Sequence, residues 1–327
     1  MKCQRTRWQR LNWRLRVGLL LAGLLLSPSQ PGWSQTGGEI TATENYYLVK
    51  SIDESLVKLA GLTGAFERKR ISENLRPRNV FEKTLDLAQR FNVLFPNALN
   101  PAKLDELSQV ADVSRTTPAD AYAVLNLLKA YLVAQGTFQE TTDAQTPKTP
   151  SDVFHIMRQL SWHYVQIAQQ KGLSVKWGTA AQVYDTVVTT VLPAMYGMAA
   201  DAKITYNPYL FPRQPVSKVQ PRNIYKLLRQ IYTNIATYYA AKGNYEPLKI
   251  VDVTDCDEIT PADAFDLAQV AAAELKANLG GKTLAPDLAV RYAEWKKTHE
   301  QVEPGHTFRL LQHLFILTKQ IGENTGN

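Results

Sequence analysis

The side chains able to do chemistry in this sequence are few, and their spacing works against the familiar reactions. His155 and His163 are eight residues apart, and His306 and His313 seven apart. On a helix that sets the members of each pair about 10–12 Å apart along the axis, too far to grip one metal ion. There is no His-Glu-x-x-His, no Gly-x-Ser-x-Gly, no phosphate-cradling glycine loop and no haem-attaching Cys-x-x-Cys-His. Asp252, Asp255, Asp257 and Glu258 offer oxygen ligands for a hard cation, but they lack the alternating spacing and central glycine of a calcium loop. They also lead straight into a helix start at Thr260, where negative charge is favoured in any case. The same carboxylates disfavour the thiolate of Cys256. The sequence therefore points to no catalytic residue, no metal and no cofactor.

Binding is better represented. Residues 201–220 carry Tyr206, Pro208, Tyr209, Leu210, Phe211, Pro212, Arg213 and Pro215. Prolines lower the entropy lost in holding such a strap, and aromatics with an arginine have the composition of contact surfaces. The expectation is a ligand or partner surface formed by Tyr206, Tyr209, Phe211 and Arg213, with Tyr209 and Phe211 accessible; the competing reading is a cover laid on the core. Arg78 and Arg222 each follow a proline at a helix start, where a cation opposes the helix dipole, so an anion or a carboxylate is expected beside them. Residues 137–149 are polar and read as a mobile linker.

The elements that must position these residues announce themselves by one repeated pattern: Pro, any residue, Asp or Asn, a small or β-branched residue, then an aromatic. It occurs from Pro77, Pro118, Pro150, Pro221 and Pro261, with weaker copies from Ala180 and Pro304. Thr117, Thr149, Thr179 and Thr260 precede four of these as N-caps, and proline fits the first helical position, where its missing N–H costs nothing. The acidic third position can bond back to the cap. Apolar residues then follow at helical spacing, as in Tyr225, Leu228, Tyr232, Ile235 and Tyr239. Gly136, Gly172, Gly243, Gly280 and Gly322 stand where left-handed C-terminal residues are wanted. Further helices are expected over 44–67, 101–112, 179–197 and 285–302. The result is an all-α chain of about ten helices, an irregular bundle or solenoid-like array. The Pro-Arg-Asn copies at 77 and 221 are each followed by Thr-Pro-Ala-Asp-Ala at 117–121 and 260–264, which suggests two related halves. The boundaries read this way are a segment 35–76, a unit 77–220 and a shorter unit 221–327.

The first residues have the layout of an export signal: Lys2, Arg5, Arg7, Arg10, Arg14 and Arg16, then an apolar run from Val17 to Leu26, then small residues. The run is too short to cross a bilayer, which takes about 20 residues. Cleavage near Gln35 removes all six of those cations, and the balance falls from 37 basic against 30 acidic residues to 31 against 30. The net charge of +7 thus belongs to the leader and gives no reason to expect a nucleic-acid partner. With Cys3 lost, Cys256 has no partner, so stability rests on a core, which about 290 residues suffice to build. The leading functional expectation is an exported, periplasmic or extracellular, non-catalytic binding or scaffold module that recognises an envelope protein or a small ligand. The alternative is an envelope enzyme whose carboxylates and histidines converge only in the fold.

Overall fold

The computed structural model describes residues 39–109, 113–141, 143, 146–243, 245–252, 259–279, 285–299 and 301–325. The expected leader, Cys256, Asp255, Asp257, Glu258 and Gly280 lie outside them. Among the described residues the chain is all-α: α1 (Ala42–Ala60), α2 (Pro77–Leu94), α3 (Pro101–Ser108), α4 (Pro118–Ala134), α5 (Pro150–Gln170), α6 (Ala180–Thr186), α7 (Leu192–Asp201), α8 (Pro221–Ala241), α9 (Pro261–Leu279), α10 (Pro286–Thr298) and α11 (Pro304–Thr325). A π-helical stretch, Val187–Val191, joins α6 to α7 as one rod. Among the described residues, extended pairing amounts to a single bridge between Ser72 and Ile250.

Cap chemistry sets the helix starts. At Thr149 and Thr260 the box is reciprocal: the hydroxyl accepts from the N–H of Asp152 or Asp263, and that carboxylate accepts the threonine N–H at 2.8 and 2.7 Å. At Thr117 the N–H and the hydroxyl both donate to Asp120, at 2.7 and 2.9 Å. Where no threonine precedes the proline, Asn79 and Asn223 accept the N–H of Arg76 and Gln220. Gly136, Gly172 and Gly243 have the expected positive φ. Gly322 does not end a helix, because α11 continues past it. α1 stops at Ala60 rather than near residue 67, turned off by left-handed Gly61.

The helices pack in two groups, each with its own core. In the first, α1 and α2 each lie against both α4 and α5, a four-membered ring around Ile52, Leu87, Phe91, Leu125, Leu128 and Tyr164. In the second, the α6 rod and α8 each lie against both α9 and α11 around Tyr184, Leu228, Leu267 and Leu311. Taken in chain order, the four rods of each group meet in the same ring. The packed groups thus divide near residue 178: α6, α7 and the strap, which the sequence reading placed in the unit 77–220, pack into the second core. α10 adds Leu288, Tyr292 and Trp295 to that core.

Residues 137–149 depart from the mobile linker expected of them. Their described part runs along α1, and hydroxyls on that helix take its backbone N–H groups: Ser55 takes Gln139, Ser51 takes Thr141, the Tyr47 phenol takes Thr146 and Thr43 takes Lys148, at 2.8–3.0 Å. A segment without secondary structure of its own has its backbone N–H groups satisfied here by hydroxyls on a helix face.

Candidate functional site

The two groups meet where α9 crosses α2; Ile71, Leu75 and Phe154 join the second core there, and beside them runs an ionic seam. From α2, Lys83 donates to Asp266 at 2.8 Å and to Asp86 at 3.0 Å. From α5, Arg158 donates through Nε to the other oxygen of Asp266 at 2.8 Å, through Nη2 to Asp263, and through Nη1 to the Lys69 carbonyl. About two turns along α9, Glu274 accepts two bonds from Arg78, at 2.7 and 2.8 Å, and further bonds from Arg76 and the Tyr245 phenol. Lys276 closes the seam on Glu82 at 2.7 Å. Lys83 is 1% exposed and Arg158 4%, so these charges are carried inside the protein. Burial pushes the carboxyls of Asp266 and Glu274 up, but Lys83 with Arg158, and Arg78 with Arg76, outweigh it and hold both below their ordinary pKa.

Beside this seam is a recess of about 100 Å³, lined from the first group by Lys83, Arg90, Arg158, Ser161, Trp162 and Trp177 and from the second by Thr260, Asp263, Phe265 and Asp266. It opens past Phe66, Arg68 and Trp162 into an outer cleft of about 500 Å³ that Ile259 and Thr260 also line. Aromatic faces hold the cations: the Arg90 guanidinium lies 5.6 Å from both Trp177 and Phe265, and that of Arg158 5.9 Å from Phe66. Trp177 is brought to the rim by a close approach. Gly178, at φ +66°, sits where a Cβ would come within 2.7 Å of the Ala262 backbone, so the loop before α6 lies on the first turn of α9. Within the recess the Ser161 side chain, 9% exposed, has a hydroxyl with no hydrogen-bond partner.

The site residues expected from the sequence divide between two places. Arg78 finds the carboxylate foreseen for it, Glu274, in the seam. Arg222 is exposed at the start of α8. The strap packs as a cover. Tyr209, expected to be accessible, is 5% exposed; its N–H donates to the Tyr196 phenol and its own phenol accepts from Tyr184. Phe211 is half-buried against Tyr292 and Trp295, and Tyr206 stacks on Tyr196 at 4.4 Å. Arg213 is exposed, and its carbonyl accepts from His299. The strap stays down because Trp295 donates to the Pro212 carbonyl at 2.8 Å and because Gly305, which lacks a Cβ, lets the Val216 backbone lie directly on the start of α11. An aromatic-rich connection between helices that leave an apolar face uncovered is drawn inward by that face.

Two of the histidines come together, the His299 and His306 rings packing edge to face at 5.6 Å beside Trp295, and the others have separate partners. His163 holds Asp53 at 2.6 Å, His155 lies against Phe66, His313 meets the Tyr196 phenol and His306 packs edge-on to Trp295. Among the described residues no group of three or more His, Cys, Asp or Glu side chains is placed to hold a metal ion, and no helix is long and apolar enough to cross a membrane. The cleft residues Phe66, Arg90, Arg158, Ser161, Trp162 and Trp177 were not singled out by spacing. Their one signal was a charge at a core position, such as Arg158 among Phe154, Met157, Leu160 and Ser161 on the buried face of α5. Comparison with protein-family models, with curated proteins and with solved structures finds no match to this chain.

Proposed function

We propose that this chain is an exported, non-catalytic binding module of the cell envelope and that it takes a small ligand in the cleft between its two packed groups. The observation that carries the reading is the recess itself. Both groups contribute its lining, aromatic walls surround fixed charges, and a buried hydroxyl is left without a partner. A concave, mostly apolar site with a few convergent polar groups is the usual form of a small-molecule pocket. The test is native mass spectrometry of the protein purified from its own envelope, expecting a non-covalent adduct that Trp162→Ala removes. An adduct that survives this substitution places the ligand elsewhere.

Export makes a separate expectation. Intact mass should show a chain that starts near Gln35 and lacks Trp8, Trp13 and Trp33, whereas retention of Met1 to Ser34 on most molecules would reject it.

One observation favours the enzymatic alternative. Asp53, 2% exposed, accepts from Gln159 at 2.8 Å and holds His163 through Nδ1, and all three line an open pocket of about 460 Å³. A buried carboxylate that orients an imidazole is the arrangement of a general base. Turnover of p-nitrophenyl esters by the wild-type protein, abolished in His163→Gln, would favour this reading over pure binding.

A further inference from the structure

We infer that the recess between the two groups receives the carboxylate of a small aryl acid, whose ring lies against Phe66 and Trp162 in the outer cleft. This rests on the cleft being a ligand site and adds the chemistry of what enters it.

The inference follows from counting donors against acceptors. The two carboxylates that line the recess are already engaged on both oxygens: Asp266 takes Lys83 on one and Arg158 on the other, and Asp263 takes Arg158 on one and the N–H and hydroxyl of Thr260 on the other, which leaves about two lone pairs on Asp266 and one on Asp263. The cations do have N–H groups to spare. Lys83 uses two of its three and Arg158 three of its five. Nη2 of Arg90 stands 2.8 Å from Asp86, yet it is buried and off-line for a hydrogen bond to it. The Ser161 hydroxyl adds one more donor. A buried recess whose spare donors outnumber its remaining acceptors is matched by a group that brings acceptors only, and a carboxylate is such a group. Its volume, about 100 Å³, admits a head group and excludes a ring lying flat with it. The outer cleft, about five times larger and walled by Phe66 and Trp162, has the room and the aromatic surface for the ring.

The test is calorimetric titration of the whole mature protein with benzoate, benzamide and benzylamine at fixed ionic strength. Benzoate should bind at least about tenfold more tightly than benzamide, the size of one hydrogen bond to a charged group, and benzylamine should not bind. Ser161→Ala should weaken benzoate by about tenfold and leave the melting temperature unchanged, because no hydrogen bond within the protein is lost. Trp162→Leu, at a half-exposed position, should weaken benzoate and benzamide alike. Equal or tighter binding of benzamide or benzylamine would overturn the carboxylate assignment and leave the cleft as a ligand site. Failure of all three to bind would overturn it too, and the cleft itself falls only if the envelope-purified protein also carries no adduct that depends on Trp162.

Discussion

Lys83, Arg158 and Asp266 make a three-member chain of charges in the interior, and each depends on the others for its solvation. Asp266→Asn removes the countercharge of two buried cations at once and should cost about 3–5 kcal/mol, as breaking a buried pair does. The exposed pair Lys103–Glu106, at the same 2.8 Å separation, should lose less than about 1 kcal/mol on Glu106→Gln. Denaturant unfolding of the two variants measures both, and comparable costs would show that the seam is hydrated. The distance is the same in the two pairs, so burial and the second cation on Asp266 set the contrast.

A helix in this chain is specified at its first turn, where an acidic third residue returns a bond to the cap. Thr260→Ala and Thr117→Ala should each cost about 0.5–2 kcal/mol, read by the same unfolding transition. No change at either site would mean that the carboxylates of Asp263 and Asp120 satisfy the first turn without the hydroxyl. The strap behaves as an element of the core. Replacing Tyr209 and Phe211 together by Ser should destabilise the fold by about 3–5 kcal/mol or more, the loss expected for truncating a buried aromatic, with Tyr209 as the larger share. A melting temperature unchanged by the double substitution would return the strap to the role of a free surface.

At the scale of the whole molecule, two packed groups are joined by charges, so their union should respond to acid. The folded-state pKa values of Asp266 and Glu274 are depressed, so their contribution is fully present above the unfolded value of about 4 and is lost as pH falls through the folded values. Burial likewise lowers His155 and His313, whose contribution is present above the unfolded value of about 6.5 and is lost as pH falls below it. Stability should therefore decline in two steps on acidification, one below about 6.5 and a steeper one below about 4, and Glu274→Gln should flatten the second. Thermal melts across that range measure both; a stability that rises on acidification from neutral pH would contradict the ionic seam.

Helix starts were legible because a cap, a proline and an acidic third residue act within a few bonds of each other, and local chemistry is what a sequence states directly. The same holds for the left-handed glycines and for the apolar stripes that fill the two cores. Where the chain folds back on itself was not legible. The pairing of Arg78 with Glu274 and of Arg158 with Asp266 joins residues more than a hundred positions apart, and nothing in the local pattern records such a distance. The sequence offered the aromatic strap as a surface because composition alone does not reveal which apolar face lies beneath it. It left the cleft unmarked because Ser161, Trp162 and Trp177 line one recess only when α9 is laid against α2 and α5. Tertiary packing decided both, since burial and the company of charges are properties of the assembled molecule.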